Sequence, residues 1–230
     1  ALGVLDLLGR RHVDGRVIGD VDHVLAHRDE RAARGEVWHQ GETVIAGIGQ
    51  GYLLTTPLQL AVMTARSANG GYSFMPHITR AIGGELLPVH VAKPIGVSEK
   101  ALRVAQNGMI GVTNEPGGTA YRHRIPDPGM ELAGKTGTAQ VRRISRAERA
   151  TGVIRNEDLE WRQRDHALYV AYAPVHEPRY AISVVVEHGG SGSAAAAPIA
   201  RDIMREVLVR SPGGPQARNP VSPSSNGRAG

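Results

Sequence analysis

Apolar and polar residues recur with different periods along this chain, and the changes of period predict its elements. Thr56-Pro57-Leu58-Gln59 places a hydroxyl at an N-cap, a proline at the first helical position and a glutamine three residues after the cap. That capping box predicts a helix over Leu58 to Ala68. Asn69-Gly70-Gly71 follows, and these residue types readily take the left-handed conformation that ends a helix. Ser98 with Glu99 opens a second helix, in which Leu102, Ala105, Met109 and Val112 recur at helical spacing. Pro116-Gly117-Gly118 stops it. A third helix is predicted from about Ala194 to Val209, with Ile199, Ile203, Met204 and Val207 on one stripe.

The strands lie between the last two helices. His166 to Ala173 and Tyr180 to Glu187 are apolar and rich in β-branched or aromatic residues, and Pro174 to Arg179 separates them. They read as an antiparallel hairpin in a well-buried sheet. Met130 to Gln140 is shorter and interrupted by glycine, so pattern alone leaves it an ambiguous strand. Residues 141–165 then form a polar insertion long enough to suggest a function. Residues 1–40 are charged and punctuated by glycine, and they predict an irregular segment. Residues 211–230 contain four Pro, four Gly, four Ser and two Asn, which predicts a disordered tail. Residues 41–210 are left as the folded part.

Composition narrows the chemistry. Of 230 residues, 41% are apolar and 21% charged, enough to bury a sizeable core. No apolar run approaches the ~20 residues of a membrane span. The first residues lack a basic region and an initiating Met, which suggests a piece of something longer rather than a signal peptide. Cysteine is absent, so disulfides, thiolate zinc sites and thiol nucleophiles are excluded together. The net charge of +5 could suggest nucleic acid, but the arginines are interleaved with acids. Between Gln140 and Asp165 seven Arg face five Asp or Glu, and the whole chain has one Phe and two Trp. A basic groove with stacking aromatics is not indicated, so no nucleic-acid partner is expected.

Two further patterns carry little. Gly47-Ile48-Gly49-Gln50-Gly51 mimics a dinucleotide loop, but its sixth position is Tyr52 rather than Gly, so a structural turn is expected. His23 and His27 share a helical spacing without a His-Glu-x-x-His pattern, so no metal and no cofactor are expected. His188, at the end of a strand before Gly189-Gly190, is read as a strand terminus, and Arg142 to Arg149 as a solvated loop. Its functional rival is a lid or partner-docking surface beside residues 135–138.

Lys135-Thr136-Gly137-Thr138 is the sharpest local feature. Lysine occurs only at 93, 100 and 135, and a lysine inside a Gly/Thr strand is costly without a task. The segment offers a cation for a carboxylate, two hydroxyls to hydrogen-bond it, and a glycine without a Cβ to obstruct a ligand lying along the strand.

Four ordered blocks set that motif in a wider pattern: Val44 to Ala61, Glu131 to Gln140, Asp165 to Pro174 and Val184 to Gly192. Together they resemble the penicillin-binding transpeptidases, most closely class B enzymes of the penicillin-binding protein 2 type. Those enzymes cross-link peptidoglycan during cell elongation. The resemblance covers roughly Glu36 to Val209. It implies an α+β fold, an antiparallel sheet flanked by helices, of the serine β-lactamase and transpeptidase kind, here incomplete at its N-terminus. It implies that a serine in a Ser-x-x-Lys motif attacks the penultimate D-Ala carbonyl of a stem peptide to form an acyl-enzyme. Lys135 would then polarise the site and help hold the substrate carboxylate. Thr136 and Thr138 would bind that carboxylate, the Thr138 backbone N–H would donate to the oxyanion, and Gly137 would allow close approach. Gly49, Gln50 and Gly51 would shape the cleft wall. The implied partners are D-Ala-D-Ala stem peptides, β-lactams, a shape-determining glycosyltransferase and elongation scaffold proteins. The implied location is the periplasmic face of the bacterial inner membrane, with the anchor outside this chain.

One part of the pattern is missing. No serine in the sequence is followed three residues later by lysine. Ser67-Ala68-Asn69 and Ser224-Ser225-Asn226 imitate a second family motif, Ser-x-Asn, but stand at the wrong place in the chain order. The chain therefore resembles the C-terminal part of a transpeptidase domain, expected to be inactive and only marginally stable alone. The alternatives are a degenerate, non-catalytic binding module, or a D,D-carboxypeptidase or β-lactamase relative. Neither of the latter needs the Gly-Gln-Gly-Tyr segment ahead of the Thr56 helix.

Overall fold

Helices and small antiparallel sheets alternate along the chain as β1 (Arg11–Val13), β2 (Arg16–Ile18), α1 (Gln40–Gly47), α2 (Pro57–Ala68), β3 (Tyr72–Ser73), β4 (Ala81–Ile82), β5 (Glu85–Leu86), β6 (Lys93–Pro94), α3 (Glu99–Asn114), β7 (Ala133–Ala139), α4 (Arg146–Thr151), β8 (His166–Ala173), β9 (Tyr180–Val186) and α5 (Ala197–Arg210). The computed structural model describes residues 11–13, 16–18, 37, 39–47, 49–50, 55–79, 81–87, 92–142 and 144–210. The class is α+β. Within residues 1–40, expected to be irregular, β1 and β2 pair as a short antiparallel hairpin. Residues 211–230, expected to form a tail, lie outside the described residues.

The helix ends obey local chemistry. Thr56 Oγ1 accepts from Gln59 N at 3.2 Å while Gln59 Oε1 accepts from Thr56 N at 2.8 Å, so the predicted capping box is complete. At the far end Gly71 N donates to Arg66 O, with Gly70 and Gly71 both at positive φ, the arrangement that closes a helix onto its last carbonyls. Ser67 donates to Met63 O, and Asn69 exchanges two hydrogen bonds with the Tyr72 backbone. The Ser67-Ala68-Asn69 imitation is thus consumed in ending α2. Ser98 caps α3 through Ala101 N.

The sheet that matters has the order β7-β8-β9, antiparallel throughout. Residues 133–139, ambiguous by pattern, form a full strand with Lys135 opposite Val170, Thr136 opposite Tyr169, Gly137 opposite Leu168 and Thr138 opposite Ala167. β8 and β9 form the expected hairpin, from Ala167 opposite Val186 to Ala173 opposite Tyr180. Ala167, Tyr169, Ala171 and Ala173 of β8 enter one core with Ile125, Leu132 and the inner face of α5. α3 packs along β7, while α2 and α5 both pack on β8 and β9.

Two apolar stripes differ from expectation. On α5 the buried residues are Ala197, Ala200, Met204 and Leu208, whereas Ile199 is 42% and Ile203 38% exposed. β8 presents alanines to this helix, so small residues let the two backbones close up, and the larger β-branched side chains fall on the outer face. A π-helical turn over Gly192–Ala196 precedes α5, so the regular helix starts later than Ala194. On α3, Leu102 and Thr113 are buried and Ala105 is exposed. The inward side includes Gln106, which reaches Ser67 O at 2.7 Å and ties α3 to the end of α2.

Candidate functional site

β7 lies at the edge of its sheet. Among the described residues no strand pairs with the side opposite β8. Along a strand, the N–H and C=O of one residue point to the same side and successive residues alternate. Glu131 O accepts from Val175 N on the hairpin side. Residues 133, 135, 137 and 139 therefore address β8, and 134, 136 and 138 address the open edge. Side-chain donors agree with this. Lys135 Nζ donates to Thr136 O at 2.8 Å, and Gln50 Nε2 lies 3.5 Å from Thr138 O, a long contact. The Thr138 N–H shares the direction of that carbonyl, toward the open edge.

The expected residues come together in part. Lys135 and Thr138 are exposed and Thr136 and Gly137 half-buried, all on β7. Gln50 reaches the same strand from across an 88-residue separation. Its approach depends on Gly49, whose φ of +73° turns the chain back after α1, with Gln50 N donating to Ile45 O. Val44 to Gly47, the start of the block that includes them, is helical rather than part of a glycine-rich turn. Gly51 lies outside the described residues.

Of two residues that pattern reading passed over, one touches this strand and the other holds the first. Thr119 Oγ1 is 3.0 Å from Thr136 Oγ1. Ser193 Oγ donates to Thr119 O at 2.5 Å. Thr119 arrives because the chain doubles back after α3: Ala120 N donates to Val112 O, and a Cβ on Gly118 would overlap the Val112 and Gly111 carbonyls. Gly117-Gly118 reads in sequence as a helix stop, and the same glycines also make this tight return. Gly192 lies over the Gly137–Leu168 pair, where any Cβ would overlap the Gly137 and Leu168 carbonyl oxygens. Sequence reading had no means of joining residues 119, 136 and 193.

The stretch from Arg142 to Arg149, expected as a solvated loop, includes most of the helix α4. Ser145 caps α4 through Glu148 N, and Arg142 donates two hydrogen bonds to the Glu148 carboxylate at 2.7 and 2.5 Å. The guanidinium, helped by Ile154 N at 3.1 Å, holds that carboxyl down at about 2. Asp165 clamps the insertion's ends. It accepts from Val141 N at 3.3 Å and from Asn156 Nδ2 at 3.2 Å, and its own N donates to Asn156 Oδ1 at 2.9 Å. His188, at φ +55°, donates from its backbone to His166 Nδ1 and sets its ring 2.9 Å from Arg164 O, with Trp161 edge-on at 4.5 Å. It closes the base of the insertion. A hollow of about 620 Å³ beside α4 has Ile144, Ser145, Arg146 and Arg149 as its lining among the described residues, away from Lys135 to Thr138.

A lysine, two threonines and a glycine on a strand edge open among the described residues, with a glutamine from a glycine turn beside it, have the chemistry to take an extended ligand bearing a carboxylate. The model of the penicillin binding protein transpeptidase domain matches residues 22–205. The chain belongs to that family. It is 37% identical over 176 residues to the peptidoglycan D,D-transpeptidase MrdA of Haemophilus influenzae, covering 74% of the chain and 26% of that relative. Among solved structures, Pseudomonas aeruginosa PBP2 in complex with WCK 5153 is similar at a TM-score of 0.63 and 36% identity, over 79% of this chain and 36% of that one. PBP2 of Helicobacter pylori, solved in complex with MreC, is similar at a TM-score of 0.63 and 31% identity, over 85% and 32%. The chain thus spans about a quarter to a third of the length of these relatives. Among its described residues no helix is long and apolar enough to cross a membrane.

Proposed function

We propose that the open edge of β7 is the substrate edge of a peptidoglycan D,D-transpeptidase of the penicillin-binding protein 2 type. The observation that carries this is that Lys135, Thr136 and Thr138 share a strand edge unpaired among the described residues, with Gln50 at the Thr138 carbonyl. A stem peptide ending in D-Ala-D-Ala, or a β-lactam, lies along this edge as an added strand. The Lys135 ammonium moves from the Thr136 carbonyl to the ligand's carboxylate, a better acceptor for a cation. The Thr136 and Thr138 hydroxyls complete that carboxylate's hydrogen bonds. The Thr138 N–H faces the position where an acyl carbonyl develops negative charge, and a donor of that kind strengthens as the charge forms. Gly137 keeps the strand surface low.

The sequence holds no Ser-x-x-Lys, so in this reading the chain binds and does not acylate. The work it serves is stem-peptide cross-linking at the periplasmic face of the inner membrane. Its setting includes a shape-determining glycosyltransferase and elongation scaffold proteins, in line with the H. pylori PBP2–MreC complex. Incubation with a fluorescent penicillin tests this. The native mixture is expected to show saturable binding by anisotropy, and the denatured chain no retained dye. Dye that survives denaturation would contradict the reading.

A further inference from the structure

Beside Lys135 and Thr138, the candidate carboxylate site uses the Thr136 hydroxyl, and its use depends on which way that hydroxyl is turned. A threonine hydroxyl has one proton and can be aimed in several directions. Among the described residues, the side-chain hydroxyl within hydrogen-bond distance of Thr136 is Thr119 Oγ1 at 3.0 Å, and in this pair either atom could be the donor. If Thr136 donates to Thr119, its proton is turned away from a ligand. If Thr119 donates to Thr136, the Thr136 proton is released toward the open edge. An anionic ligand favours the second direction, because two hydroxyls in series polarise one another and strengthen the terminal donor.

Thr119 can serve in this way only if its backbone is fixed, and the structure supplies the fixing group. Ser193 Oγ donates to Thr119 O at 2.5 Å. Ser193 stands in the π-helical turn opened by Gly192, whose lack of a Cβ allows that turn to sit directly on the Gly137–Leu168 backbone pair. The turn before α5, the return after α3 and the centre of β7 are thereby joined through three short side chains from distant parts of the sequence.

We propose that Thr119 and Ser193 are positioning residues of the β7 site. Ser193 holds the Thr119 turn, and Thr119 orients the Thr136 hydroxyl so that its proton faces the ligand's carboxylate. This rests on the proposed function, because it assumes that an anionic group binds beside Thr136.

The test uses the full 230-residue chain and N-acetyl-D-alanyl-D-alanine as probe, titrated while the Gly137 and Thr138 amide resonances are followed. Thr119→Val keeps the shape and removes the hydroxyl, Thr119→Ser keeps the hydroxyl, and Ser193→Ala removes the tether. Thr119→Val and Ser193→Ala are expected to weaken binding about three- to tenfold, the value of one hydrogen bond. Thr119→Ser is expected to restore affinity to within twofold of the parent. A purely structural role would instead follow thermal stability, which Ser and Val change alike through the lost methyl or hydroxyl. Ligand-free three-bond couplings at Thr136 give a second readout that needs no probe: one rotamer in the parent and in Thr119→Ser, averaging in Ser193→Ala. Lys135→Gln separates the two claims. If it abolishes binding while Thr119→Val and Ser193→Ala bind like the parent, the positioning role fails and the proposed function stands. If the parent shows no saturable shift at Gly137 and Thr138, or Lys135→Gln binds as well as the parent, both fail.

Discussion

Tyr169 connects the candidate site to the core one residue at a time. It lies opposite Thr136 in the sheet, is fully buried, and places its hydroxyl 3.1 Å from Thr113 Oγ1 on α3. A Cβ on Gly134 would overlap that hydroxyl, so the glycine just before Lys135 is there for packing. Tyr169→Phe is expected to lower stability by about 1 kcal/mol, the net value of a buried hydrogen bond, read as a lower urea midpoint at unchanged slope. Burial pushes the Tyr169 phenol up to about 12. The native state thus keeps a proton that the unfolded chain releases near pH 10. The contribution is intact below about pH 10 and is lost as pH rises through about 12, on the order of 2–3 kcal/mol. Alkaline unfolding should therefore be less steep in pH for Tyr169→Phe than for the parent; equal slopes would contradict the assignment. Gly192→Ala tests the close approach behind Gly137. It is expected to cost about 1–3 kcal/mol by overpacking and to shift the Gly137 amide.

At the scale of elements, legibility followed how local the cause was. The caps of α2 and α3 were readable because Thr56 with Gln59, and Ser98 with Ala101, satisfy each other within four residues. β8 and β9 were readable because their side chains are apolar or β-branched throughout. The face of α5 was misread in part: spacing set Ile199 and Ile203 on one stripe with Met204, and Met204 is buried, but an alanine-lined β8 takes small partners at Ala197 and Ala200 instead of the isoleucines. The solvated-loop reading of Arg142 to Arg149 failed because the anchors of this region are groups no local pattern pairs. Asp165 reaches Val141, and Arg142 reaches Glu148. Arg142 holds the Glu148 carboxyl at about 2, a depressed value, so its anchoring is fully present above about pH 4.5 and disappears only as pH falls through about 2. Hydrogen exchange at Ile154, whose N–H donates to Glu148, should stay protected at pH 3 in the parent and be fast in Glu148→Gln. Loss of protection by pH 4 in the parent would contradict the anchor.

For the molecule as a whole, the three-stranded sheet is a scaffold that presents one strand edge. α3 and the π-helical turn before α5 pack on β7, Gln50 reaches its edge from the turn after α1, and the 141–165 insertion is clamped at the end of β7 where Val141 meets Asp165. The motif Lys135-Thr136-Gly137-Thr138 was visible in sequence as chemistry. That it occupies an open edge, with alternate backbone groups directed outward, needed the register of β7 against β8. The family was legible because four blocks stand in order along the chain, and the match over residues 22–205 bears it out. Thr119 and Ser193 were not legible, since their relevance arises only where three distant segments meet.

The central claim is that Lys135 on this edge holds a ligand carboxylate. The affinity of the native chain for a fluorescent penicillin, compared with that of Lys135→Gln, tests it most directly. A hydrogen bond to a charged group is worth about 1.5–3 kcal/mol, so the substitution is expected to weaken binding roughly tenfold to a hundredfold with an unchanged melting temperature. Equal affinity in the two proteins would contradict the account.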